Sequence, residues 1–200
     1  MADFLAKIGL DKLERAIVYG VILAVIFAVV FRAIYLDHQW FAFFFRWLHV
    51  ISGVMWVGLL WYFNFVQIPS MPKIPDEQKP AISKVIAPTA LFWFRWSALA
   101  TLVTGLIVAF MNGYIINALL FSGSGSDRLI GLGMWLGAIM AFNVWYIIWP
   151  NQQKALGLVE ASADEKKAAA RIAMLISRCN TMLSIPMLYF MVAKQNLAVG

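Results

Sequence analysis

Two ionisable side chains interrupt one long apolar stretch of the sequence, residues 41–67. They are Arg46 and His49, and the polar Asn64 and Gln67 follow farther along the same stretch. An ionisable group at membrane depth is costly, so it marks a functional site by default. His49 is therefore the first residue of this chain at which we look for chemistry.

The residues around His49 suit the axial ligand of a membrane-embedded haem b. Helical periodicity places Gly53 and Trp56 on the face of His49, and a glycine there leaves room for a large flat ring. Arg46 stands about one turn before His49, nearer to the membrane surface, where haem propionates would lie. Imidazole is a good iron ligand when its other nitrogen is hydrogen-bonded. We predict these four residues to bind the cofactor, with His49 on the metal, and assign no catalytic residue.

Other interpretations of His49 stay open. Its imidazole would also be explained by a hydrogen bond to a Ser or Asn of a neighbouring helix. His38 falls in a polar break of the sequence, so we do not expect two histidines of one chain to hold the same haem. The remaining arrangements are His plus Met, an open sixth position, or a haem shared by two chains. An open position would permit oxygen or substrate chemistry, and a closed one would favour electron transfer.

Composition indicates that these residues are held by membrane-spanning helices. The chain is 62% hydrophobic and 13% charged, with a mean hydropathy of +0.78. These values are typical of multi-pass membrane proteins, so the predicted fold is an all-α bundle. The five predicted spans are Ala16–Leu36, Phe41–Gln67, Thr89–Met111, Leu129–Trp149 and Ile172–Ala193. We predict an interfacial amphipathic helix over 1–15, followed by a single transmembrane domain over 16–200.

The connections between the spans differ in kind. Pro69–Pro88 holds five of the seven prolines and is predicted to be an extended loop with one short helical piece. Ser122–Ser126 has the composition of a flexible turn. Ser162 and Glu165 have the spacing of a capping box at the start of a helix.

The distribution of basic residues predicts the orientation. Lys and Arg concentrate at the amino terminus and in the second-to-third and fourth-to-fifth connections, which lie on one side of a five-span protein. The positive-inside rule then places the amino terminus in the cytoplasm and the carboxyl terminus in the periplasm of a bacterial inner membrane. The net charge of +6 is scattered over span ends, so we expect lipids and no nucleic acid as partners.

Further polar residues are candidates for lining the same pocket. They are Asn64, Arg95, Asn143, Arg178 and Asn180. The alternative for Arg95 is an interfacial anchor among aromatic residues, and the alternative for Arg178 is an interfacial arginine at the end of a connector. One cysteine, Cys179, excludes an internal disulfide, a cysteine-based zinc site and a c-type haem attachment motif.

Several strings of the sequence resemble the membrane domain of bacterial membrane-bound urate oxidase (urate hydroxylase). They are RWLHVISGVMWVGLL from Arg46, YFNFVQ from Tyr62, FRW from Phe94, WPNQ from Trp149 and SRCNTMLSIPM from Ser177. The similarity extends over about residues 41–192. A looser likeness, the His-x6-Trp-x-Gly pattern, links the chain to other small haem-associated membrane families.

The resemblance implies an oxidoreductase with a urate oxidase-like membrane module. Full-length members of that family continue into a cytochrome c domain outside the cytoplasm, in keeping with the predicted periplasmic carboxyl terminus. This sequence has no haem c attachment motif, so we expect electrons to pass to a separate cytochrome c or a respiratory partner.

Two other functions stay open. The chain would be a structural subunit of a larger membrane complex, or a homo-oligomer, if its polar residues only pack helices. Transport of a small anion would use Arg46, Arg95 and Arg178, although the sequence lacks a pair of broken helices.

Overall fold

The computed structural model describes residues 1–197, apart from the side chains of residues 2 and 3. All regular elements in this part of the chain are helical. The α-helices are α1 Ala2–Lys7, α2 Leu13–Val30, α3 His38–Trp61, α4 Ile68–Ser70, α5 Lys79–Ala81, α6 Ala87–Met111, α7 Ile115–Leu119, α8 Gly125–Phe142, α9 Trp149–Ala155 and α10 Ala163–Asn196. Between them lie the π-helical segments Tyr62–Gln67, Ile82–Ile86 and Asn143–Ile148, and the 3₁₀ turn Met71–Lys73.

Five helical stretches in residues 1–197 are long and apolar enough to cross a membrane. They are Leu13–Val30, His38–Lys73, Lys79–Met111, Gly125–Ala155 and Ala163–Asn196. The predicted all-α, five-span architecture is confirmed, and the chain is a multi-pass membrane protein.

The chain divides into two compact units, residues Met1–Phe41 and the remainder from Ala42 onward. In the first unit α1 is followed by α2, and the Tyr19 hydroxyl donates to the Ile8 carbonyl oxygen at 2.6 Å. The predicted division into an interfacial helix over 1–15 and a transmembrane domain over 16–200 stays a prediction. Residues 198–200 of that domain lie outside the described part of the chain.

The first predicted span is too long at its carboxyl end. We expected helix to Leu36, but α2 ends at Val30. Arg32 and Leu36 both have φ near 52°, in the left-handed region that interrupts a right-handed helix. The hydropathy of the sequence does not predict such a break in the backbone, so it could not give the end of α2.

The proline-rich connection is also more helical than predicted. Helix continues through Lys73 and resumes at Lys79, so little of Pro69–Pro88 is an extended loop. Pro80 stands in the first turn of the stretch that resumes at Lys79, where the amide groups have no partner within the helix and a proline loses no hydrogen bond. Pro69 and Pro88 each come two residues after a π-helical segment within a continuous helical stretch.

The second unit is an antiparallel bundle of α3, α6, α8 and α10. Its core contains Trp56 and Leu60 of α3, Phe94 of α6 and Met140 of α8, all at most 2% exposed. The glycine pattern on α8 packs against α10, where a Cβ at Gly133 would lie 3.2 Å from the Met191 backbone nitrogen. Small residues at such a position let the two helix backbones approach closely.

The two ends of this bundle differ in their side chains. We call the end with Arg46, Tyr114, Asp127 and Lys194 the His49 end. The opposite end, with Gln67, Arg95 and Trp149, is called the Arg95 end. The capping box predicted at Ser162 and Glu165 is present and begins α10 at the Arg95 end.

Candidate functional site: a cavity beside His49

A cavity of about 660 Å³ lies among α3, α6, α8 and α10. Apolar side chains form most of its wall. Three of the four helices contribute small residues to the wall, which are Gly53 of α3, Gly105 of α6, and Gly137 and Ala138 of α8. The helices therefore diverge enough here to leave a partly open space of the size that ligand pockets have.

His49 is held in this wall by the backbone of α6. Its Nδ1 lies 2.8 Å from the carbonyl oxygen of Thr101. A carbonyl only accepts, so the ring carries its hydrogen on Nδ1 and donates it. The lone pair of a neutral imidazole then lies on Nε2. An imidazole whose second nitrogen donates to a backbone carbonyl is the arrangement that orients a histidine as a metal ligand.

Gly105 lets α6 approach the His49 ring. A Cβ built at Gly105 would lie 2.8 Å from His49 Cε1 and 3.1 Å from Nδ1, inside van der Waals contact. No signal within α3 points to Gly105, since the spacing along one helix does not tell which residue of another helix faces it.

Gly53 and Trp56, the other predicted residues of the α3 face, also line the cavity. A Cβ at Gly53 would meet only the Thr101 methyl carbon at 3.8 Å, an ordinary contact. Trp56 is 2% exposed, and its indole N–H has no hydrogen-bond partner. A buried donor without a partner is uncommon, and here it belongs to a cavity wall.

The His49 end of the cavity carries the polar groups. Arg46 lines it, and the described part of the chain gives Arg46 no salt bridge. Burial raises the pKa of the Tyr114 phenol, and the nearby Arg46 guanidinium opposes that rise. Lys194 pairs with Asp127 and lies 3.9 Å from the centre of the Tyr114 ring. Lys194 is thus neutralised by a carboxylate, whereas Arg46 is not.

Three methionines face the same space from the opposite helices. Met134 of α8 and Met187 and Met191 of α10 line the cavity. Thioether sulfur is a haem ligand in some proteins. The wall facing α3 therefore offers candidates for a sixth ligand, which the sequence had left open between Met, no ligand and a second chain.

The polar residues predicted deeper in the bundle lie outside this cavity and bond between helices. Asn64 donates to Ser177 at 2.8 Å, and Asn143 donates to Asn180 at 2.8 Å. Asn180 is fully buried and donates in turn to the Met140 carbonyl oxygen. These amides join α10 to the π-helical segments that follow α3 and α8.

The two remaining candidates lie apart from the cavity as well. Arg95 is packed among tryptophans of the Arg95 end, with its guanidinium carbon 3.7 Å from the centre of the Trp149 ring. Arg178 is exposed on α10. Of the predicted site residues, the structure thus brings together Arg46, His49, Gly53 and Trp56.

Comparison with known proteins gives one family. Residues 108–197 match the model of the urate oxidase N-terminal family. No significant match to a curated protein or to a solved structure was found. The matched segment supplies the α8 and α10 walls of the cavity and Tyr114, whereas His49, Thr101 and Gly105 precede it. The resemblance drawn from the sequence is confirmed over this segment, which includes the strings from Trp149 and Ser177: residues 108–197 are similar to the urate oxidase N-terminal domain.

Proposed function

We propose that this protein is a haem b redox module of the bacterial inner membrane. The observation that carries the proposal is the His49 imidazole, held at Nδ1 by the Thr101 carbonyl and presented at the wall of a 660 Å³ apolar cavity. Bound haem would supply one-electron chemistry there.

The residues of the wall fit that group. Apolar side chains and small residues suit a flat hydrophobic macrocycle, and the cavity volume lies in the range of about 300–1,000 Å³ found for ligand pockets. Nε2 of His49 would bind the iron. Arg46, which has no carboxylate partner among the described residues, would pair with the propionates at the His49 end.

The charge distribution supports an orientation for this module. With Lys and Arg concentrated at the amino terminus and at the Arg95 end, the amino terminus lies in the cytoplasm and the carboxyl terminus in the periplasm. The His49 end then faces the periplasm, where a separate cytochrome c or a respiratory complex would receive the electrons. The family relation supports an oxidoreductase, although it names no substrate for this chain.

The test is the visible absorption spectrum of the full chain purified from a haem-replete host. We expect a Soret band, and a b-type α band after reduction with dithionite. Protein that is folded by circular dichroism and carries no Soret band would contradict the proposal.

A second function, a structural subunit of a larger membrane complex, is favoured by a different observation. The amides of Asn64, Asn143 and Asn180 are engaged in bonds between helices, as packing residues would be. Co-purification with partner chains in the absence of any haem would support this function over the first.

A further inference from the structure

Buried polar atoms without a partner are concentrated at the Arg95 end, away from the cavity. Within residues 1–197 there are six such atoms, and one of them is the Trp56 nitrogen already described. The other five belong to Asn64, Gln67, Arg95 and Trp145. Native proteins pair nearly all buried polar groups, so a cluster of unpaired ones indicates a bound water or ion.

Hydrogen bonds and ring contacts between helices place Asn64, Arg95 and Trp145 near one level of the bundle, and Gln67 follows Asn64 by about one turn. Asn143 bonds to Asn180 of α10. Asn64 bonds to Ser177, about one turn closer to the Arg95 end. Asn64 therefore lies near the level of residues 145–149, whose tryptophans contact Arg95.

Two of the three unpaired donors at this level belong to a cation, Arg95. Arg95 Nε and Nη1 are both buried without a hydrogen bond, and Arg95 forms no salt bridge with any described residue. Its guanidinium carbon lies 3.7 Å from the ring centre of Trp149 and 5.2 Å from that of Trp145. The aromatic faces hold the cation in place, but they supply no hydrogen-bond acceptor.

We propose that Arg95 and Trp145 form a binding site for an oxyanion of the phosphate or carboxylate class, separate from the haem site. A planar guanidinium matches such groups through parallel N–H bonds, and the Trp145 N–H adds a third donor. The free oxygens of Asn64 and Gln67 would accept from a hydroxyl of a hydrogen phosphate or from a water bound beside it. The oxyanion belongs either to a lipid headgroup or to a small solute. Both are within reach of Arg95, because it lies at the Arg95 end of the bundle, where basic residues are concentrated.

The experiment measures tryptophan emission of the purified full chain in two arms. In one, delipidated protein in a neutral detergent is titrated with sodium phosphate and, separately, with sodium acetate. In the other, the protein is placed in phosphatidylcholine nanodiscs with increasing phosphatidylglycerol. A saturating change of emission in the first arm identifies a free anion as the ligand. A saturating change only in the second arm identifies a lipid headgroup as the ligand.

Arg95→Gln is expected to weaken the observed binding by about tenfold or more, because a hydrogen-bonded charge is lost. Arg178→Gln is the matched control, since it removes the same charge from an exposed position of a spanning helix, and its binding should equal that of the wild type. If Arg95→Gln does not fold by circular dichroism, Trp145→Phe removes one donor with a smaller change, and severalfold weaker binding is expected.

Absence of saturation in both arms, or equal affinity in the wild type and the folded Arg95 or Trp145 variant, would overturn the proposal. Neither result depends on haem.

Discussion

At the scale of residues, the account depends on how one imidazole is held. The sequence identifies His49, Arg46 and Gly53 from their spacing along one helix, and all three line the cavity. It does not identify Thr101 and Gly105, which fix the ring from α6. Those contacts join two helices, and they depend on how α3 and α6 pack against each other. The spacing of residues along one helix does not predict that packing.

Gly105→Ala is predicted to displace the His49 ring. The added methyl would lie 2.8 Å from Cε1, and overpacking of this kind costs about 1–3 kcal/mol. We expect lower haem content and a shifted Soret band in the purified variant, measured with the pyridine haemochrome assay.

The control for this change is Gly20→Ala on α2, because no atom lies within 4 Å of a Cβ at that position and Gly20 does not line the cavity. It should keep wild-type haem content and gain slightly in helix propensity. Equal haem content in the Gly105 and Gly20 variants would show that contact with the ring is unimportant.

At the scale of elements, side-chain amides of Asn64, Asn143 and Asn180 join the helices between the cavity and the Arg95 end. The five spans follow from hydropathy, but the extension of helices through the proline-rich connection does not, because composition does not distinguish prolines that a helix accommodates from prolines in a loop. Asn64 and Asn143 both lie in π-helical segments, which the sequence did not indicate. Such segments often occur at functional sites, and here they turn amides towards α10.

Asn180→Leu is predicted to destabilise the bundle by about 1–2 kcal/mol. It leaves the Asn143 side-chain amide without its Asn180 partner and removes one of the donors to the Met140 carbonyl oxygen, in a low-dielectric interior. The free energy of unfolding in mixed micelles is the measurement.

Asn117→Leu serves as the comparison, since Asn117 is exposed on α7. We expect little change in its unfolding free energy. A loss of stability of the same size in both variants would argue against a specific contribution from the Asn143–Asn180 pair.

At the scale of the whole molecule, charge asymmetry predicts which bundle end faces which compartment. Five helices of the described residues are long and apolar enough to cross a membrane, and the basic residues around the Arg95 end predict the direction. The His49 end would then face the compartment where a soluble cytochrome is found.

Cysteine labelling tests that orientation. In a Cys179→Ser background, Ser124→Cys marks the His49 end and Glu160→Cys marks the Arg95 end. A membrane-impermeant maleimide added to intact spheroplasts is expected to label the first and not the second. The reverse pattern would invert the proposed orientation.

The most direct test of the central claim compares the two histidines of the chain. Wild-type protein, His49→Ala and His38→Ala would be purified from the same haem-replete host, and the ratio of Soret absorbance to protein measured for each. We predict that His38→Ala keeps the wild-type ratio, whereas His49→Ala loses the band because the axial ligand held by Thr101 is gone. A wild-type Soret band in folded His49→Ala would contradict the assignment of His49 as the haem ligand.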